Sequence, residues 1–202
     1  MVDSQAVPKS LSGEKPQRIV EAMRRSVASR GTAGSTFDHV AREAGVSRGL
    51  LHYYFGTKEQ LLVEAVRREC AVRMEMLERQ LSDAKTADDF IDLMARNLQE
   101  TVSSDPDFVT LVFELFTLSR RNSEIAVEYA QLLSRTREQV ADMLAAAQDQ
   151  GVIQLHADPQ AVAEILFSLA DGFSLRMLAE PDRDFSATIG AGITCARALL
   201  AD

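Results

Sequence analysis

Residues 36 to 61 read TFDHVAREAGVSRGLLHYYFGTKEQL, and that stretch leaves few folds open. Phe37, Val40, Ala41 and Ala44 recur at the spacing of one helical face, which predicts a short amphipathic helix. Gly45 stands where a helix stops in left-handed dihedrals, and Val46 plugs the corner. Ser47 is a natural N-cap for a second helix, and Thr57-Lys58-Glu59-Gln60 has the form of a capping box that opens a third. Two short helices around such a turn build a DNA reader.

At 100° per residue, Arg48, Gly49, His52 and Tyr53 fall within about 140° of one another on the second helix. Leu50, Leu51, Tyr54 and Phe55 occupy the other side, so one face packs and the other is free to enter a groove. The free face begins at a helix N-terminus, where unpaired N–H groups favour phosphate. It carries an arginine suited to guanine and two aromatic hydrogen-bonding groups. Gly49 costs about 1 kcal/mol against alanine inside a helix; close approach of a base edge or another backbone accounts for it.

These residues resemble the N-terminal signature of the TetR family of one-component regulators. Thr36, Val40, Ala41, Gly45, Val46, Ser47, Gly49, Leu51, Tyr54, Phe55 and Lys58 stand at its matching places. The chain departs from it at His52, where the family usually has tyrosine; Tyr53 follows. The resemblance implies that Arg48, Gly49 and Tyr53 reach base edges and that Thr36, Ser47, His52, Tyr54 and Lys58 hold phosphates, with Leu50 completing the contact set. It also implies that the last two helices pair with their copies across a two-fold axis, giving a homodimer through residues 158–200.

The charge distribution agrees. Residues 1–58 carry 9 Lys and Arg against 5 Asp and Glu, leaving 13 against 25 for the remainder, so only the N-terminal part suits a polyanion. No run approaches the roughly 18 apolar residues of a membrane span, and no basic leader precedes an apolar stretch, so a cytoplasmic protein is expected. Cys70 and Cys195 lie far apart within helical patterns and are expected to be buried thiols.

Punctuation and period predict an all-α chain of about nine helices. Residues 1–13 read as a flexible arm, 14–60 as the helix-turn-helix domain, and 61–202 as a larger helical effector-binding and dimerisation domain. The helix opened by Thr57 runs toward Leu81, about 36 Å, and joins reader to body. Phe108, Val109, Leu111, Val112, Phe113, Leu115 and Phe116 cover more than half of one later helix, which predicts burial on most sides. Glycines and alanines fill the last helix, at Ala187, Gly190, Ala191, Gly192 and Ala196, which calls for close approach of another helix.

Enzymatic chemistry finds no support. The three histidines have no partner at ligand spacing, there is no G-x-S-x-G elbow, and no glycine-rich loop follows a strand. No metal or cofactor is called for. Two functions remain: a regulator, most simply a repressor, released from a palindromic DNA operator by a small molecule; or an architectural DNA-binding dimer with no effector. For the first, a largely apolar effector is expected among Met94, Phe108, Phe113, Phe116, Phe167 and Phe173, with Asn97 or Glu114 fixing its orientation.

Overall fold

A computed structural model describes residues 13–200, so all of the expected arm except Gly13 lies outside the described residues. Among the described residues every regular element is an α-helix. The chain divides into two compact units, Met1–Val66 and Arg67–Asp202.

The first unit holds α1 (Glu14–Gly34), α2 (Phe37–Ala44), α3 (Arg48–Phe55) and the start of α4 (Lys58–Leu81). Helix α1 is broken near its C-terminal end. Gly31 is non-helical (φ 67°, ψ 174°) and leaves a short helical tail after the break. Ser35 ties that tail down: its hydroxyl donates to the Gly31 carbonyl and accepts from the buried Ser26 hydroxyl at 2.9 Å. Thr36 then caps α2, accepting from the His39 N–H. At the far end Gly45 is left-handed (φ 65°, ψ 38°), and the Val46 N–H reaches back to the Ala41 carbonyl at 2.9 Å, which closes the α2 C-terminus in a Schellman ending.

Inside this unit Ile19, Ala22, Met23, Val27, Val40, Leu51, Leu61 and Ala65 are all sealed from solvent. Each large apolar side chain buried this completely stabilises by about 1.5–3 kcal/mol. Leu51 and Phe55 are therefore what pins α3 down, since its other residues are at least partly exposed.

The second unit contains the rest of α4 with α5 (Ala87–Ser104), α6 (Pro106–Ser119), α7 (Ser123–Asp149), α8 (Pro159–Ala179) and α9 (Ser186–Leu200). Caps mark the starts: a full capping box at Thr86 and Asp89, and the side chains of Asp105, Asn122 and Asp158 accepting from the first-turn N–H groups of α6, α7 and α8. The core joins Leu77 and Leu81 of α4, Phe90 and Ile91 of α5, Val140 and Leu144 of α7, Val162 of α8 and Leu200 of α9.

Two expectations are corrected here, and a third is resolved residue by residue. Helix α6 is not buried on most sides: Val109, Leu111 and Leu115 are, but Phe116 is 47% exposed. Cys195 is exposed on α9 rather than buried. The glycines of α9 differ from one another: a Cβ on Gly192 would meet the Phe173 ring of α8 at 2.8 Å, whereas Gly190 has open space. Intrachain packing thus explains Gly192 and leaves Gly190 unexplained.

Gly45→Ala is expected to destabilise the first unit by about 1–2 kcal/mol, because an L-residue is forced left-handed and its Cβ would lie 2.8 Å from Arg18 Nη2; the shift in urea midpoint measures it. Burial pushes the Cys70 thiol up to about 12. At pH 8, a thiol reagent should therefore label Cys195 in the native protein and reach Cys70 only on unfolding; equal labelling of both in the folded state would refute this.

Candidate nucleic-acid interface

Helix α3 presents its first-turn and outward residues to solvent. Ser47 stands at the N-cap position with no side-chain cap bond, so its hydroxyl is not committed to the helix it precedes. Gly49 meets no atom within 4 Å of where a Cβ would be; packing inside the protein does not require a glycine there. Tyr53 is 55% exposed, and its ring contacts that of Tyr54 edge-on at 5.2 Å. Leu50 and Tyr54 are half-buried at the margin of the face.

The remaining expected contacts have partners of their own. Thr36 caps α2. Lys58 Nζ donates to the Thr32 carbonyl at 2.8 Å, which bridges the first turn of α4 to the tail of α1. His52 lies with Nδ1 3.0 Å from the Gly56 carbonyl and its ring against Phe37, centroids 4.7 Å apart. Arg48 forms an ion pair with Asp38 of α2 at 3.1 Å. Asp38 did not emerge from the sequence, because a carboxylate in the first turn of a helix is fully accounted for by the helix dipole.

In the second unit the eight residues expected around an effector are half-buried, except for the exposed Phe116. Met94 and Phe167 pack against the same core. Phe108 lies under Arg73, whose Cζ is 4.1 Å from the ring centroid; Phe116 contacts Tyr129; Phe173 fills the space over Gly192. Phe113, Asn97 and Glu114 are half-buried. A groove of about 470 Å³ between the C-terminal part of α4 and α7 is lined instead by Glu78, Leu81, Phe90, Gln139, Asp142 and Met143, among others.

Arg73 and Tyr129 are the body residues that period alone did not single out. The Arg73 guanidinium donates to Asp105 at 2.5 Å and to Thr101 at 3.4 Å, while its Nε is buried without a partner. Asp105 also caps α6, so one carboxylate serves both the corner between α5 and α6 and the α4 side chain. Burial raises the Tyr129 phenol above its ordinary range, and the Asp171 carboxylate and Cys70 add to it.

Comparison with known proteins places these two units. Residues 19–65 match the family model of the bacterial regulatory proteins of the TetR family, and residues 92–197 match that of the BetI-type transcriptional repressor C-terminal domain. The HTH-type transcriptional regulator PksA of Bacillus subtilis is 26% identical over 187 residues, covering 88% of this chain and 85% of PksA. Two solved structures share the fold. One, a protein from Saccharomonospora viridis in complex with choline, has a TM-score of 0.72 and 23% identity, over 92% of this chain and 97% of that one. The other, the transcriptional regulator FadR from Bacillus subtilis in complex with stearoyl-CoA, has a TM-score of 0.73 and 18% identity, over 89% and 98%. With a solvent-facing recognition helix in one unit and a second unit that matches the repressor body, the chain belongs to the TetR family of DNA-binding transcriptional regulators.

Proposed function

We propose that the protein is a ligand-responsive repressor that binds a palindromic operator as a homodimer and leaves it when a small molecule occupies the body. The observation that carries this reading is α3: two buried side chains, Leu51 and Phe55, hold it down while Ser47, Arg48, Gly49 and Tyr53 stay in solvent. Arg48, Gly49 and Tyr53 read base edges. Thr36, Ser47, His52, Tyr54 and Lys58 position phosphates, and Leu50 lies beside them. Residues 14–60 form the reader, and 61–202 serve effector binding and dimerisation.

The dimer face is formed by α8 and α9. Ile165 and Leu175 of α8 are about half exposed, and Gly190, Ala191 and Thr194 give α9 a flat outward strip. The open space at Gly190 supports an approach from outside the chain. Dimerisation sets two recognition helices one turn of DNA apart, about 34–36 Å.

The effector is a largely apolar molecule held among Met94, Phe108, Phe113, Phe116, Phe167 and Phe173, with Asn97 or Glu114 for orientation. That related structures of this fold hold stearoyl-CoA or choline supports a body built for small molecules. Movement of α6 on binding is passed through the bond of Asp105 to Arg73 and along α4, which runs unbroken from Lys58 to Leu81. Such a device is worth about 1–3 kcal/mol of coupling between the two ligands.

Arg48→Ala is expected to cost about 1–3 kcal/mol at one operator base pair and to relax selectivity there; fluorescence anisotropy on single-base operator variants reads this. An equal loss on every sequence would remove the base-reading role. Gly190→Glu is expected to give monomers with lost operator affinity, because one half-site supplies too few contacts. An unchanged sedimenting mass would move the interface elsewhere.

A further inference from the structure

Arg48, the first residue of α3, is held rather than free. Its Nη1 donates to both carboxylate oxygens of Asp38, at 3.1 and 3.3 Å, and its Nε donates to His52 Nε2 at 3.4 Å. The Gly56 carbonyl 3.0 Å from His52 Nδ1 only accepts, so the hydrogen-bond network assigns the imidazole proton to Nδ1 and leaves Nε2 as the acceptor that Arg48 meets. The Phe37 ring keeps the imidazole in place. Of the guanidinium nitrogens, only Nη2 has no partner among the described residues.

Fold stability does not account for this arrangement. Arg48 and Asp38 are 58% and 61% exposed, and an ion pair so open to water contributes little. Asp38 would serve the α2 dipole equally well without touching α3. Its carboxylate also stands on the side from which a polyanion approaches, two residues after Thr36, so it opposes DNA of every sequence.

We propose that Asp38 is a specificity-determining residue, which holds one edge of the Arg48 guanidinium so that the remaining edge reads a base rather than a phosphate. This rests on the DNA-reading function proposed above. A long, freely rotating arginine meets the nearest phosphate, and such contacts position a protein without carrying sequence information. Fixing one edge with a carboxylate and an imidazole lowers the ordering cost of aiming the other. It also lowers the net charge offered to phosphate. The repulsion from Asp38 falls on every duplex alike, and only a base pair with the acceptors that Nη2 needs offsets it, so discrimination comes from the aimed Nη2 edge.

Selection from a randomised duplex library with the full chain tests this, comparing the parent, Asp38→Asn, Arg48→Ala and the double variant. Asp38→Asn keeps the shape of the side chain and removes its charge. It is expected to bind random-sequence duplex more tightly than the parent and to lose about tenfold of the discrimination at a single base pair, the size of one good arginine-to-guanine contact. Other positions should keep their preferences, and the substitution should change no preference when Arg48 is already alanine. Circular dichroism checks that Asp38→Asn folds, and Asp38→Ala provides a second variant. A preference matrix that superimposes on the parent's, or one weakened equally at all positions, overturns the role of Asp38 while leaving the regulator reading in place. A parent protein that enriches no motif takes both down together.

Discussion

The left-handed backbone at Gly45 is the constraint on which the DNA reader depends. With φ at 65°, the chain leaves α2, turns within three residues and enters α3 at an angle that sends Leu51 and Phe55 into the interior. A continuous helix through this point would rotate those two side chains off the core. The short α3 has eight residues, too few to be stable alone in water, so its existence as a helix is a result of that burial. Everything that makes the face useful follows: the exposed N-terminal turn, the open Gly49 and the aromatic side chains beside it.

Electrostatics divides the molecule in a related way. The reader is held by arginine contacts that also neutralise its own carbonyls and carboxylates: Arg18 on the Ala44 carbonyl at 2.6 Å, Arg25 on Glu43, Arg48 on Asp38. The basic excess of the N-terminal segment is thus partly committed internally, and attraction to DNA comes from the surplus. In the body the corresponding element is Arg73. Its ion pair with Asp105, its stacking on Phe108 and the neutral thiol of Cys70 place a charged group among poorly solvated neighbours. Such a site is sensitive to anything that changes the acceptors around it.

Most of the helical layout was legible from punctuation. Asp105-Pro106 and Asp158-Pro159 start α6 and α8, and Gly151 follows the end of α7, because caps and breakers act within a few residues of themselves. Signals of that range also located the recognition helix and its two faces. The end of α1 was less legible: Gly31 breaks the helix, but Ser26 and Ser35 come together across nine residues of sequence and hold a short helical tail beyond the break. The wide apolar face of α6 was misjudged for a different reason: period counts apolar residues but not how many neighbouring helices arrive to cover them.

The sequence by itself determined the helix-turn-helix, the family and the separation of a basic reader from an acidic body, all of which follow from short-range spacing and charge. Only the tertiary structure decided which polar side chains are already engaged: Lys58 with the Thr32 carbonyl, Arg73 with Asp105, and Arg48 with Asp38 and His52. It alone distinguished Gly192, pressed against Phe173, from Gly190, which faces open space. The physical reason is the same in each case. Hydrogen bonds and van der Waals contacts act over a few ångströms, and apart from the i, i+4 pair of Arg48 and His52 the partners lie 10 to 32 residues apart along the chain, a distance over which neither periodicity nor capping chemistry carries information.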